Sequence, residues 1–202
     1  MKLYYSPGVC SLSPYIAFLE AGVPFEPVKV DIKTHKLEDD SNYYLVNPRG
    51  YVPALRLDDG SVMTEGPAIV QYIADLKPEK KLAPPNGTIE RYRLQEWLGF
   101  INSEIHKGFS PLFNSKTNAE YKEVVAQKLS ERFNWLSKQL EGKQYLMGDQ
   151  FTVADGYLFT VLRWTKPVGI NLTDWPVLQA FVERVGERPA VQEALKSEKT
   201  SK

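Results

Sequence analysis

The sequence predicts two domains: an α/β domain at residues 1–80 and an all-α domain at residues 88–202. Up to residue 76, short apolar runs and segments of helical periodicity follow one another in the order β-α-β-α-β-β-α. Residues 81–87 belong to a proline-rich, charged stretch without periodicity, and we predict that they form the linker. Beyond this linker every apolar pattern has helical spacing, so no further strand is expected.

The composition argues against several classes of protein. The 25 basic and 25 acidic residues give a net charge of zero, so neither nucleic acid nor an anionic membrane is an expected partner. No apolar run approaches the length of a membrane span and no signal region precedes the first strand, which predicts a cytoplasmic protein. One cysteine and two histidines exclude an intrachain disulfide framework and make a metal site unexpected.

The first β-α-β unit contains the only cysteine, Cys10, at a junction between a strand and a helix. Residues 3–5 are predicted to be a strand, residues 6–8 a turn and residues 25–32 the second strand. The helix between them is indicated by an apolar stripe at three- and four-residue spacing: Leu12, Ile16 and Leu19.

Cys10 is therefore predicted in the first turn of that helix. Backbone N–H groups and the positive end of the helix dipole favour a negative sulfur there, either the cysteine's own thiolate or that of a bound thiol. Ser13 occupies the position where a dithiol oxidoreductase has its second cysteine, so disulfide chemistry at Cys10 requires an outside thiol. The alternative is a buried structural cysteine on a core helix.

The second half of the α/β domain is predicted to be a hairpin followed by a helix. Residues 35–42 are polar and are expected to form a loop, and residues 43–46 a short helical turn. Residues 52–57 and 61–63 are predicted to be antiparallel strands joined by an Asp-Gly turn.

Two features of this half are candidate ligand contacts. A cis peptide between Val52 and Pro53 would turn the Val52 backbone toward an extended peptide ligand, whereas a trans proline at a strand start is the alternative. Glu65 and Gly66 follow Thr64, the predicted N-cap of the next helix. There a ligand carboxylate would meet the N–H group of Gly66, and Glu65 would accept a ligand ammonium group. The alternative is an acidic residue that only complements the dipole.

The second domain is predicted to be entirely helical. Apolar periodicity indicates helices at residues 89–113, 121–140, 153 to about 166 and 177–185, with a short helix beginning near Pro189. Thr152 and Asp155 form a capping box at the start of the third of these helices, so Asp155 is predicted to be structural.

The long helix at residues 89–113 has a polar stripe that is typical of a groove wall. Its members are small or polar: Gly99, Asn102, Ser103, His106 and Ser110. His106 is suited to donate a hydrogen bond or a positive charge to an anionic sulfur, and the alternative is a solvated surface histidine. Glu104 lies two residues away on another face of the helix, so it is not expected to orient His106.

The order of these motifs is specific when they are taken together. They are residues 1–8 leading to Cys10-Ser11-Leu12, Asn47-Pro48, Val52-Pro53-Ala54-Leu55, residues 64–69, residues 104–109 and residues 151–155. From end to end the chain resembles the cytosolic glutathione transferases, and most closely their bacterial beta class. Cysteine at position 10 combined with histidine at position 106 carries the assignment to that class.

The resemblance implies a thioredoxin-like glutathione-binding domain at residues 1–80 and a helical domain with the electrophile site. It implies that Cys10 faces the glutathione sulfur and forms a mixed disulfide with it, and that His106 approaches the same sulfur. Together with Ser11 and the helix terminus, these residues would stabilise the thiolate.

The resemblance also assigns the rest of the glutathione site. Val52, before a cis Pro53, would pair with the cysteinyl backbone, while Glu65 and Gly66 would hold the γ-glutamyl end. His35 stands where the family often has a lysine near the glycine carboxylate, which predicts a weaker contact.

On the helical domain, the family often has an asparagine at position 99 that reaches the tripeptide across a dimer interface. This chain has Gly99, so Asn102, Ser103 and Glu104 are left to supply neighbouring polar groups.

The implied activity is conjugation of reduced glutathione to small hydrophobic electrophiles in detoxification, with thiol reductase or peroxidase activity through Cys10. Glutathione is then a co-substrate, and no further cofactor is expected. The expected electrophile pocket is aromatic: Tyr5, Phe109, Phe113 and Trp164. We expect a homodimer in which the first domain of each subunit packs on the helical domain of the other. Two alternatives are a chiefly reductive or dehalogenating enzyme and a non-catalytic interaction module.

Overall fold

The computed structural model describes residues 1–200, which form two compact units. Of the described residues, the first unit contains 1–83 and 188–200, and the second contains 84–187. The division therefore differs from the predicted one at its C-terminal end, because the last helix packs with the α/β unit.

The first unit is built on a five-stranded sheet in the order β3-β2-β1-β4-β5. β1 is parallel to β2, and the other neighbouring strands are antiparallel. The strands are β1 (Lys2–Tyr5), β2 (Glu26–Asp31), β3 (Lys36–Leu37), β4 (Ala54–Arg56) and β5 (Val62–Thr64). The helices of this unit are α1 (Leu12–Ala21), α2 (Gly66–Asp75) and α8 (Pro189–Thr200).

The predicted order of elements is confirmed, with one addition. The loop predicted at residues 35–42 contains β3, whose two residues pair with the end of β2. A strand of this length, with one lysine and one leucine, has no alternation that a sequence pattern can detect. The predicted turn at residues 43–46 is a 3₁₀ helix, Tyr43–Leu45.

β1 lies at the centre of the sheet and supplies much of the core of the first unit. Leu3 is completely buried, and Tyr5 is 6% exposed. The ring of Tyr5 packs edge-on against Tyr15 of α1, with ring centroids 5.4 Å apart. The strand and helix on either side of Cys10 are therefore fixed by aromatic packing.

The second unit is helical. Its α-helices are α3 (Ile89–Phe100), α4 (Lys107–Phe113), α5 (Ala119–Leu140), α6 (Val153–Leu162) and α7 (Pro176–Gly186). A π-helical segment, Ile101–His106, joins α3 to α4. The predicted long helix thus exists, with a change of helical winding that its periodicity does not show. Two short 3₁₀ helices follow α6, and the described residues beyond residue 64 contain no strand, as predicted.

α6 runs through the core of the second unit, and all of its residues are buried. α4 approaches α5 closely at Gly108, where a Cβ atom would lie 2.9 Å from the Leu129 side chain. None of the helices in residues 1–200 is long and apolar enough to cross a membrane.

Candidate active site

Cys10 lies in the turn that leads into α1 and not inside the first turn of the helix, which begins at Leu12. The Leu12 N–H group donates to the Val9 carbonyl at 3.2 Å, and the Ser13 N–H group donates to the Cys10 carbonyl at 3.1 Å. These two bonds extend the helical winding backward, so Cys10 remains next to the positive end of α1.

Ser11 has a different contact from the one predicted. Its side chain is fully buried, and the Oγ atom accepts from the Ser6 N–H group at 3.0 Å. The hydroxyl donates to the Ser6 carbonyl at 3.1 Å. Because a serine hydroxyl has one proton, this geometry ties the ends of the Cys10 loop together and does not direct the hydroxyl at a sulfur.

The predicted cis peptide between Val52 and Pro53 is confirmed. The Cys10 Sγ atom donates to the Val52 carbonyl oxygen at 3.3 Å. Gly66, the first residue of α2, lies against the Pro53 ring, since a Cβ atom at Gly66 would be 3.8 Å from it. The structure thus brings Cys10, Val52, Pro53 and Gly66 together within the first unit.

Glu65, and not the predicted Thr64, is the N-cap of α2. Its backbone has φ 71° and ψ 109°, which is uncommon for a residue with a side chain. The exposed carboxylate accepts from Arg49 Nη1 at 3.0 Å, and the other terminal nitrogen of the same guanidinium donates to the Thr64 hydroxyl. Arg49 therefore holds the Glu65 side chain in one orientation, a role that no sequence motif indicated.

The ring of His35 packs against neighbouring residues of the first unit. The ring lies 4.5 Å from that of Tyr44, and its Nδ1 atom is buried without a hydrogen-bond partner. Gly50, with φ +69°, makes room for this packing, because a Cβ atom there would lie 2.9 Å from the imidazole. The Nδ1 edge of His35 is therefore turned toward the protein.

His106 is the last residue of the π-helical segment, and Tyr157 of α6 orients it. The His106 Nδ1 atom and the Tyr157 hydroxyl oxygen are 2.6 Å apart, and that hydroxyl donates to Asn102 Oδ1 at 3.0 Å. Since the phenol has a single proton, this network assigns a proton to His106 Nδ1. The neutral ring then has its lone pair on Nε2.

Ser103 and Glu104 make contacts inside the second unit. The Ser103 hydroxyl donates to the Gly99 carbonyl at 3.0 Å. Glu104 accepts from Arg132 Nε at 2.7 Å and, as predicted, does not orient His106. Both side chains are exposed. A ligand that contacts Glu104 must share this carboxylate with Arg132.

An aromatic cluster surrounds one side of His106. The ring of Trp164 lies 4.9 Å from His106, 5.8 Å from Phe109 and 5.9 Å from Phe113. Phe109 is completely buried, whereas Phe113 is 51% exposed. Three of the four predicted pocket aromatics therefore lie together. The fourth, Tyr5, is a core residue of the first unit and is not part of this cluster.

The comparisons with known proteins identify the family of this chain. The family description "Glutathione S-transferase, N-terminal domain" matches residues 9–76, and "Glutathione S-transferase, C-terminal domain" matches residues 100–189. The chain is 46% identical over 198 residues to the glutathione S-transferase GstA of Escherichia coli O157:H7, with 98% of each chain covered.

Two solved structures share the fold along their length. The first is a ternary complex of BphK, a bacterial glutathione transferase, with 58% identity and a TM-score of 0.97, covering 98% of this chain and 100% of that one. The second is a bacterial beta class glutathione S-transferase from Sphingomonas chungbukensis, with 47% identity, a TM-score of 0.95 and 98% of each chain covered. This chain therefore belongs to the glutathione S-transferase family, in its bacterial beta class, and is a glutathione transferase.

Proposed function

We propose that Cys10 and His106 act on the sulfur of bound glutathione, and that the enzyme transfers this glutathione to a small hydrophobic electrophile. The observation that carries the proposal is the convergence of the Cys10 thiol, the Val52 carbonyl and the cis Pro53 beside the first residue of α2. These groups suit the cysteinyl part of an extended tripeptide.

The remainder of the tripeptide is proposed to lie along the N-terminus of α2. The backbone of Val52 pairs with the cysteinyl residue as a short piece of added strand. The γ-glutamyl carboxylate is held at the N-terminus of α2, at Gly66, and its ammonium group is held by Glu65. Arg49 supports this role, because it fixes the Glu65 carboxylate before the ligand arrives and so reduces the entropy lost on binding.

His106 is proposed to take part in proton transfer at the sulfur. With the Nδ1 proton directed at Tyr157, Nε2 is the atom that accepts the sulfhydryl proton. The resulting imidazolium then donates a hydrogen bond to the thiolate, which attacks the electrophilic carbon and expels its leaving group.

The electrophile is proposed to be apolar and small. Phe113 and Trp164 present aromatic surface beside His106, and Phe109 lies beneath them. Planar aromatic or short aliphatic electrophiles match such a surface, since aromatic side chains stack on both.

A reductase activity is the second candidate, because Cys10 is the single thiol of the chain and Ser13 replaces a resolving cysteine. The Cys10 thiolate would attack the glutathione sulfur of a mixed disulfide and release the other thiol. A second glutathione thiolate would then attack the Cys10-bound glutathione, giving glutathione disulfide and restoring Cys10. Glutathione is the only reductant that this reaction requires.

A homodimeric state and a cytoplasmic location are part of the same proposal. Both are supported by the family resemblance, and the exposed side chains of Ser103 and Glu104 are consistent with contact to a ligand held by a second subunit. Sedimentation showing a fully active monomer at micromolar concentration would contradict the dimer.

The function is tested by retention on immobilised glutathione, by the rate of conjugation of an activated aryl halide, and by mass spectrometry for glutathione bound to Cys10. We expect retention, saturable conjugation and a mixed disulfide after exposure to glutathione disulfide. A protein that is neither retained nor active toward a panel of electrophiles would contradict the proposal.

A further inference from the structure

The carbonyl oxygen of Tyr51, one residue before Val52, accepts hydrogen bonds from two buried side chains. The Tyr43 hydroxyl donates to it at 2.8 Å, and the Asn47 Nδ2 atom donates to it at 2.7 Å. Tyr43 is completely buried and Asn47 is 3% exposed, whereas the Tyr51 side chain is 71% exposed. The backbone of Tyr51 is therefore held from inside the first unit, although its ring projects into solvent.

The contacts of both side chains fix them as donors. A carbonyl oxygen can only accept, so the Tyr43 phenol and the Asn47 amide must both donate to Tyr51. The Asn47 Oδ1 atom accepts from the Arg49 N–H group at 3.2 Å, which leaves Nδ2 as the atom that faces Tyr51. Burial raises the pKa of Tyr43 to about 12, so the phenol keeps its proton throughout the neutral range.

The two donors are themselves held by the core and by the backbone. The Tyr43 ring lies 5.6 Å from that of Tyr4 and belongs to a core cluster with residues of β1, β2 and β4. The Asn47 N–H group donates to the Tyr43 carbonyl at 3.0 Å, and the Asn47 carbonyl accepts from the Gly50 N–H group at 2.8 Å. Both donors therefore occupy fixed positions before any ligand binds.

Fixing the Tyr51 carbonyl also fixes the N–H group of Val52. The peptide unit between these two residues is planar and trans, so its carbonyl and its N–H group point in opposite directions. The carbonyl is directed inward, which directs the N–H group away from Tyr43 and Asn47. Within residues 1–200 this N–H group has no acceptor, so it is available to donate to a ligand carbonyl.

We propose that Tyr43 and Asn47 are positioning residues for glutathione: by holding the Tyr51 carbonyl they fix the plane of the Tyr51–Val52 peptide and direct the Val52 N–H group at the cysteinyl carbonyl of the tripeptide. The inference rests on the proposed pairing of Val52 with glutathione. Neither side chain contacts the ligand in this proposal. Their effect is on affinity, because an amide that is already oriented loses less entropy when the hydrogen bond forms.

The first test needs no ligand and measures the NMR order parameter of the Val52 amide, which reports ps–ns motion. We expect about 0.85 in the wild type and a decrease toward about 0.6 when both donors are removed in the variant Tyr43→Phe/Asn47→Ala. Tyr43→Phe alone keeps the ring and should give an intermediate value. The matched control is Tyr4→Phe, which removes a buried phenol hydroxyl that has no hydrogen bond within residues 1–200, so the wild-type value is expected.

The second test compares the dissociation constants of reduced glutathione and of an analogue in which a CH₂ group replaces the cysteinyl carbonyl. We expect Tyr43→Phe to weaken glutathione binding about three- to tenfold, while kcat at saturating glutathione stays within about twofold of wild type. The analogue cannot accept from Val52, so Tyr43→Phe should change its dissociation constant by less than about 1.5-fold. Tyr4→Phe should leave both constants unchanged.

Two results would overturn the inference. They are a Val52 order parameter in the double variant equal to that in Tyr4→Phe, and equal losses of affinity for glutathione and for the analogue in Tyr43→Phe. If the double variant does not fold, Tyr43→Phe takes its place in the first comparison. The order parameter is measured without glutathione, so it decides the positioning even if the wild-type protein neither binds nor conjugates glutathione, a result that would contradict the proposed function.

Discussion

The N-termini of α1 and α6 differ in the hydrogen bonds that side chains make there. At α6 the Asp155 carboxylate is completely buried and accepts three hydrogen bonds: from the Thr152 N–H group and hydroxyl at 2.8 and 2.9 Å, and from the Leu146 N–H group at 2.8 Å. The predicted capping box is thus confirmed. At α1 the first turn has no acidic residue, and the Ser11 hydroxyl is directed away from the helix to Ser6.

The difference shows that a helix N-terminus contributes to stability at α6 and to chemistry at α1. A carboxylate in the first turn neutralises the positive end of the helix dipole and satisfies the donors there. α1 lacks that carboxylate, so its positive end remains able to stabilise the sulfur of Cys10 or of bound glutathione. The predictions below test each side of this comparison.

The largest expected effect is that of Cys10→Ala on disulfide reduction. With no other thiol in the chain, the mixed disulfide cannot form, and reduction should fall by at least about a thousandfold. Conjugation should fall by less than about tenfold, because the glutathione thiolate is still stabilised by the α1 terminus and His106. Initial rates with a glutathione mixed disulfide and an aryl halide measure both.

Ser13→Ala is the matched control for this variant, since it changes a buried residue in the first turn of α1 without removing the thiol. Equal losses of both activities in a folded Cys10→Ala protein would mean that the cysteine acts mainly by activating glutathione.

Asp155→Ala should have the next largest effect, on stability. The change leaves the buried N–H groups of Thr152 and Leu146 without their acceptor, at roughly 1–3 kcal/mol each. We expect the free energy of unfolding to fall by about 3 kcal/mol, measured by urea denaturation. A loss below about 1 kcal/mol would show that water replaces the carboxylate as the hydrogen-bond acceptor and that the α6 terminus is accessible to water.

The pH dependence of stability is a separate test of the same carboxylate. Burial raises the pKa of Asp155 from 3.8 to about 6, against the hydrogen bonds from Leu146 and Thr152. Because the folded pKa is the higher one, this group's contribution is fully present below pH 3.8 and is lost as the pH rises through about 6. Between about pH 7 and about pH 4 the wild-type protein should gain up to about 3 kcal/mol relative to Asp155→Asn.

The variant in that comparison cannot titrate at residue 155, so all other carboxyl groups cancel in the difference. Parallel profiles for the two proteins would show that the folded pKa of Asp155 is not raised.

The contribution of His106 tests whether the α1 terminus acts alone. His106→Ala should lower conjugation about ten- to a hundredfold and shift the acid limb of its pH profile upward. Tyr157→Phe removes only the hydroxyl that orients Nδ1, so a smaller loss of about three- to tenfold is expected. Tyr92→Phe changes an exposed hydroxyl on α3 and serves as the control.

If both His106→Ala and Tyr157→Phe keep wild-type rates and an unshifted acid limb, Cys10 and the α1 terminus alone activate the thiol.

Gly99→Asn should have the smallest effect. A Cβ atom at this position has no neighbour within 4 Å, so the substitution fits and raises helix propensity by a few tenths of a kcal/mol. If a second subunit brings this residue to the tripeptide, the KM for glutathione should fall about two- to fivefold. Gly99→Ala adds the Cβ atom without the amide, and an equal change in that variant would exclude a contact to glutathione.

The sequence by itself determined much of the fold and one part of the site. Apolar spacing located α5 and the hairpin strands because periodicity is a local property. The capping residues of α6 are also encoded within a few neighbouring residues. The local sequence left cis and trans open at Pro53, and the family resemblance predicted the cis form. The position of Cys10 near the start of α1 followed from the same local signals, although Cys10 lies two residues before the first residue of the helix.

The tertiary structure decided which distant groups meet. Tyr157 reaches His106 across 51 positions and Glu198 reaches Gly8 across 190, and nothing in the periodicity around Tyr157 or Glu198 indicates either contact. The direction of the Ser11 hydroxyl was likewise decided by the fold of the loop. Such hydrogen bonds depend on how packed elements align their polar atoms, and apolar spacing specifies which face of a helix is buried without specifying its polar partner.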